Sequence, residues 1–190
     1  PRDDTPYAFY ETQGGGFGAR RGKDGMDGVH VHMSNTLNTP AEVLETEYPL
    51  RVRRYEFRTD SGGAGEWRGG LGLRRDIEVL GEGEGEDTTT FSLLADRRRN
   101  APYGLEGGHE GAKGEDYLVR NGEKKRLDPK STHELVGGDT VSIRTPGGGG
   151  YGNPEDRDED SVLRDVLLGK VSEEEARTAY GVDTEVTENR

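Results

Sequence analysis

Cysteine is absent from this chain. That excludes a disulfide framework, a cysteine-ligated zinc centre and a thiol nucleophile. No apolar run approaches the ~20 residues that a membrane-spanning helix needs. No signal peptide is visible, because the opening residues Pro1-Arg2-Asp3-Asp4 are polar, and the cytoplasm is the expected location. Positive charge is in deficit: the formal net charge is -12. Nucleic acid is a poor partner for such a chain, since phosphates call for a basic footprint. Hydrophobic residues are scarce, at 28%. The core should be modest, yet patterned apolar segments recur between the polar stretches, which argues against disorder.

Glycine is plentiful instead, with 31 in 190 residues, about twice the usual ~7% share. Acid is spread along the chain and is denser at its end, where residues 153–190 carry 12 acidic and 5 basic side chains. Arginine outnumbers lysine by 20 to 6. Surface acid with little lysine suits a salt-rich, halophilic cytoplasm in which self-repulsion is screened.

Strands dominate the patterning. Leu50–Arg58 and Leu71–Leu80 alternate apolar and charged residues, the period of a half-buried strand. Thr88–Leu94 and Thr140–Arg144 read as further strands. Tyr117–Arg120, Asn121-Gly122 and the residues from Glu123 onward read as a hairpin, Asn-Gly being a favoured two-residue turn. Thr39, Pro40 and Glu42 mark a short helix start, with Thr39 as N-cap. The end changes character: one helix is expected over about Ser161–Leu168. A second opens on the capping box Ser172…Glu175 and closes near Gly181. The expected fold is α+β, mainly β. It comprises an antiparallel β-sandwich or barrel-like body over residues 1–154, with glycine-rich loops, and a short acidic helical tail over 155–190.

Chemistry concentrates in one run. Two of the four histidines, His30 and His32, lie in Gly28-Val29-His30-Val31-His32-Met33-Ser34-Asn35. On an extended strand, residues two apart share a face, so the two imidazoles would stand side by side. Asp24, Asp27, Asn35, Glu42 and Glu45 fall in the same stretch. Mixed His and carboxylate ligands suit zinc, manganese or iron, and a carboxylate beside an imidazole can hold its tautomer or act as acid and base. Spacing alone leaves open that the histidines face solvent, that Asp24 and Asp27 are turn residues, and that Glu42 and Glu45 complement a helix dipole. Asp96-Arg97-Arg98-Arg99 could fork a carboxylate or form a solvated ion cluster. His109 and His133 read as surface loop residues. The run Pro146-Gly147-Gly148-Gly149-Gly150-Tyr151-Gly152 lacks the Gly-Lys-Ser/Thr ending of a phosphate loop and suits a close-packed loop or a site wall.

In order along the chain, several motifs resemble the hydantoinase B/oxoprolinase family. They are Glu11-Thr12-Gln13-Gly14-Gly15-Gly16, Gly22 to Thr36, Pro40 to Glu45, Tyr48-Pro49-Leu50-Arg51, and Asp60 to Gly65 with Arg68-Gly69-Gly70. Asp96-Arg97-Arg98 and Pro146 to Gly152 complete the set. The resemblance runs from residue 7 to about 181 and matches only the C-terminal part of longer family members. It implies an N-terminal portion, absent here, with Asp and His motifs for a divalent metal. It also implies ATP-driven hydrolysis of a small cyclic amide, with ATP bound by a partner A-type ATPase subunit that phosphorylates the carbonyl. His30, His32 and Asp27 would face the substrate as catalytic groups, His30 and His32 could ligate the metal, and Asn35, Arg97 and Arg98 would bind substrate. The rivals are an acetone carboxylase-type subunit and a non-catalytic module that docks the A-type partner.

Overall fold

The computed structural model describes residues 6–30, 36–81, 89–184. Among the described residues, seven strands and three α-helices follow in the order α1 (Ala41–Glu47), β1 (Leu50–Phe57), β2 (Leu73–Val79), β3 (Thr89–Leu94), β4 (Glu115–Arg120), β5 (Glu123–Arg126), β6 (Lys130–Leu135), β7 (Thr140–Arg144), α2 (Glu159–Leu167) and α3 (Glu173–Tyr180). A 3₁₀ turn over Pro154–Asp156 precedes α2. One antiparallel sheet has the order β1-β2-β7-β4-β5, and β3 pairs with β6 in a second. The five-stranded sheet ends on β1 and β5 rather than closing, so the body is an open sheet-rich α+β structure and not a barrel.

Leu50, Val79, Leu118 and Val141 from the larger sheet share one buried cluster with Leu93 and Leu135 of the smaller and Leu44 of α1. Fully burying such a side chain stabilises the fold by about 1.5–3 kcal/mol. The β4–β5 hairpin turns on Asn121 (φ 51) and Gly122 (φ 81), the positive pair that a type I′ turn requires. Between Val52 and Arg54 the β1 register slips by a residue, the signature of a bulge on an edge strand.

Three local expectations are corrected. Thr39 does not cap α1: Pro40 holds the cap position and no side chain caps the helix, and the Thr39 amide donates to the Glu11 carboxylate. The first C-terminal helix starts at Glu159 on an Asp158 cap rather than near Ser161. β6, Lys130–Leu135, was not expected from the pattern, and His133 sits on it rather than in a loop. The second tail helix follows the expectation: Ser172 accepts from the Glu175 amide and Gly181 closes it at φ 69. These helices pack Val162, Val171, Ala176, Tyr180 and Val182 around Ala64 in a second cluster.

Candidate functional site

The glycine-rich segments converge into one layer. Within Gly147–Gly150, the Gly148 amide donates to Gly70 O (2.8 Å), Gly150 to His109 O (2.9 Å) and Gly147 to Ala112 O (3.1 Å). Their carbonyls accept from Gly63 N on Gly148 (2.8 Å), Ala19 N on Gly149 (2.9 Å) and Leu105 N on Gly150 (2.9 Å). A β-strand shares its hydrogen bonds with two neighbours; this segment shares them with several. Side chains would prevent it. A Cβ on Gly147 would sit 1.7 Å from Ser61 O, on Gly148 2.0 Å from Phe17 O, on Gly149 1.9 Å from Tyr103 O, and on Gly150 2.1 Å from Ala64 O. None of these four glycines has a positive φ. Glycine is needed here for close backbone approach, as at the axis of collagen, rather than for a special dihedral.

His30 hangs from the edge of this layer. Gly15 and Val29 form an antiparallel bridge, with Gly15 N to Val29 O at 2.9 Å and Val29 N to Gly15 O at 2.8 Å. Gln13 and His30 therefore lie on adjoining segments. The His30 Nδ1 meets the Thr36 hydroxyl at 3.2 Å. Its Nε2 is buried and, among the described residues, has no hydrogen-bond partner; the same holds for Gln13 Oε1. Buried polar atoms are nearly always satisfied, so two orphans on paired segments are candidates for contact with a ligand or a water. Gln13 was missed at the sequence level. It stands between Glu11, whose carboxylate takes the Arg75 guanidinium, and the first glycine run.

Asp27 and Asp24 sit in an ion cluster that joins the layer to the tail. Asp27 Oδ1 accepts from the Leu71 amide (2.8 Å) and from Arg68 (3.1 Å), and Oδ2 meets Lys170 Nζ at 2.8 Å. Arg157 forks Asp24 with two 2.8 Å bonds and reaches Asp165 at 2.8 Å. Burial pushes the Asp27 carboxyl up, but Lys170, the Leu71 amide and Arg68 outweigh it and hold the pKa below the ordinary value. Asp24 behaves alike: Arg157 and Arg68 overcome its burial. Both oxygens of Asp27 are thus engaged in holding the loop beneath His30.

The other expected site residues are dispersed. Arg98 is committed to a buried fork on Asp116, 2.8 Å on each arm. Arg97 is exposed, at φ 57. His32 and Asn35 lie outside the described residues. Glu45 caps an edge amide, that of Val52, at 2.9 Å. His109 contributes its backbone to the glycine layer, and His133 Nε2 meets Ser131 Oγ at 3.0 Å. Among the described residues no group of three or more His, Asp or Glu side chains forms a metal site. None of their helices is long and apolar enough to cross a membrane.

The family description Hydantoinase B/oxoprolinase matches residues 1–154, and the chain belongs to that family. It is 51% identical over 176 residues to an uncharacterized protein, MJ0963, of Methanocaldococcus jannaschii, covering 93% of this chain and 30% of that protein. It is 38% identical over 180 residues to a putative D-/L-hydantoinase B-type component of a Pseudomonas strain, covering 93% and 29%. Among solved structures, the ATP-dependent caprolactamase of Pseudomonas jessenii superposes with a TM-score of 0.74 at 29% identity, covering 89% of this chain and 30% of that one. The chain thus spans less than a third of the length of these relatives.

Proposed function

We propose that this chain forms one wall of the site in the B component of an ATP-dependent cyclic amide hydrolase of the hydantoinase or oxoprolinase type. The observation that carries the reading is the pair of buried atoms without a partner among the described residues, His30 Nε2 and Gln13 Oε1, held at the edge of the glycine layer. In support, the relatives include a putative hydantoinase component and a lactam-opening enzyme.

In this reading the ring carbonyl arrives phosphorylated by ATP on an A-type ATPase partner. A water molecule attacks the activated carbon. His30 takes its proton at Nε2 and returns one to the ring nitrogen as the C–N bond breaks. The Thr36 hydroxyl fixes the ring at Nδ1, and Gln13 Oε1 accepts a hydrogen bond from the ring N–H of the substrate. The ring opens to an acyl phosphate with a free amine, and a second water hydrolyses that anhydride, releasing phosphate and an amino carboxylic acid. Asp27 acts through position, anchoring the loop that carries His30. His32 and Asn35 remain proposed substrate-side residues by their place in the same run of sequence, while Arg97 and Arg98 are not drawn into this wall. The described residues do not assemble a metal site. A manganese, zinc or iron ion held by His30 and His32 would need further ligands. The working location is the cytoplasm, in a hetero-oligomer.

The test is to assemble the chain with the rest of its B component and an A-type ATPase, and to assay ATP-dependent ring opening of hydantoin and 5-oxoproline. The His30→Ala variant should lose about 100-fold or more in kcat, the scale of a general base, and Gln13→Ala should raise KM. Unchanged kcat in His30→Ala would remove the assignment.

A further inference from the structure

A cleft at one end of the five-stranded sheet is lined by Glu56, Phe57, Arg58, Thr59, Arg74 and Arg144. Register brings the arginines together: Arg74 pairs across the ladder with Arg144 of β7 and with Glu56 of β1, and Arg58 follows β1 directly. Their charges are formally balanced by Glu56, Asp76 and Glu115, but their donors are not used up. Glu115 Oε1 lies 3.7 Å from both Arg58 Nη2 and Arg144 Nη1, too far for a hydrogen bond to either. Arg74 gives Nε and Nη2 to Asp76 at 3.1 and 2.6 Å, while its Nη1 stands 3.5 Å from Glu56. Arg58 Nη1 is spent on the carbonyls of Lys113 and Thr145, and Arg144 Nε on Ser142. Among the described residues, Arg58 Nη2, Arg74 Nη1 and both terminal nitrogens of Arg144 therefore make no hydrogen bond.

We infer that this cleft binds a small oxyanion, the carboxylate of an organic acid or a phosphate, through the free guanidinium nitrogens of Arg58, Arg74 and Arg144, with Phe57 as its apolar flank. Planar guanidinium forks match either group with paired charge-assisted bonds. The electrostatics agree. Burial lowers the Arg58 pKa, and the neighbouring Arg144 and Arg98 lower it further against the opposing pull of Glu115 and Asp116. An anion in the cleft would relieve that crowding. The expected carboxylate-binding pair Arg97 and Arg98 is not what lines this cleft; Arg98 adds only its field, its fork being held by Asp116.

The experiment is calorimetric titration of the full chain at low ionic strength with sodium glutamate and, separately, with inorganic phosphate. Saturable millimolar binding of either, weakened about tenfold or more in Arg144→Gln and in Arg74→Gln and unaltered in Arg53→Gln, supports the site. Arg53 lies on β1 but pairs with Glu78, away from the cleft. Glutamate alone would identify an organic acid as the ligand, and phosphate alone the inorganic ion. Unchanged thermal midpoints show that the variants fold. Absence of saturable binding of both ions, or binding indifferent to both arginine variants, would overturn the inference.

Discussion

The sheet core and the glycine layer fill the interior in opposite ways. Between the sheets, Leu118, Val141, Leu93 and Leu135 exclude water with side chains. Around Gly147–Gly150 the backbones meet one another directly, and what holds them is hydrogen bonding between segments far apart in sequence. A chain with 28% hydrophobic residues can build an interior this way because backbone amides satisfy each other when no side chain intervenes. The two regions should also fail differently. An apolar core relaxes partly around a lost methyl group; a layer packed at backbone distance has nowhere to put a gained one.

The largest effect should come from Gly147→Ala, where the added carbon would sit 1.7 Å from Ser61 O. We expect a loss of about 3 kcal/mol or more, read by chemical denaturation or as failure to accumulate folded protein. The matching cut in the other region, Leu118→Ala, should cost about 2–4 kcal/mol and leave a folded protein. If Gly147→Ala were the milder of the two, the layer would not be the tightly packed element described here.

Acid should act next, on the junction as well as on the depressed carboxylates in and beside the sheets, Glu115 and Asp139. Asp24 and Asp27 have pKa values held down in the fold. Their stabilising contribution is complete above the unfolded carboxylate value near ~3.9. It fades as pH falls through the depressed folded values. The attachment of the tail should therefore weaken below about pH 4, and Asp27→Asn should blunt the pH dependence in a denaturation series. A midpoint insensitive to that substitution would mean that the cluster does not bind the tail. Smaller again is Gly122→Ala. There φ is +81 and nothing lies within 4 Å, so the cost should be about 1 kcal/mol, strain without collision. The smallest effect is salt: if the acidic surface is adapted to high salt, the thermal midpoint should rise from dilute buffer to molar sodium chloride, and a flat response would refute the adaptation.

Much of the sheet was legible because it rests on local signals. Alternation marked β1 and β2, and Asn121-Gly122 marked the hairpin. β6 was hidden because Lys130-Ser131-Thr132-His133-Glu134-Leu135 carries one apolar residue, and its pairing with β3 is decided by tertiary context. Tertiary context also intervenes at Thr39, whose amide, the one a capping-box Glu42 would take, donates to the distant carboxylate of Glu11. In the site, the run around His30 stood out by composition. The orphaned Gln13 did not, since only the Gly15–Val29 bridge reveals that the two segments adjoin. Three arginines in a row drew attention to Arg98, yet its fork is turned to a buried aspartate that no spacing rule could have named.

The central claim is tested most directly by following ADP and ring-opened product together in the assembled complex, wild type against His30→Gln. The account predicts uncoupling: ADP release persists while ring-opened product falls about 100-fold or more, because activation belongs to the partner and opening to the His30 wall. Product that stays in step with ADP in His30→Gln would contradict it.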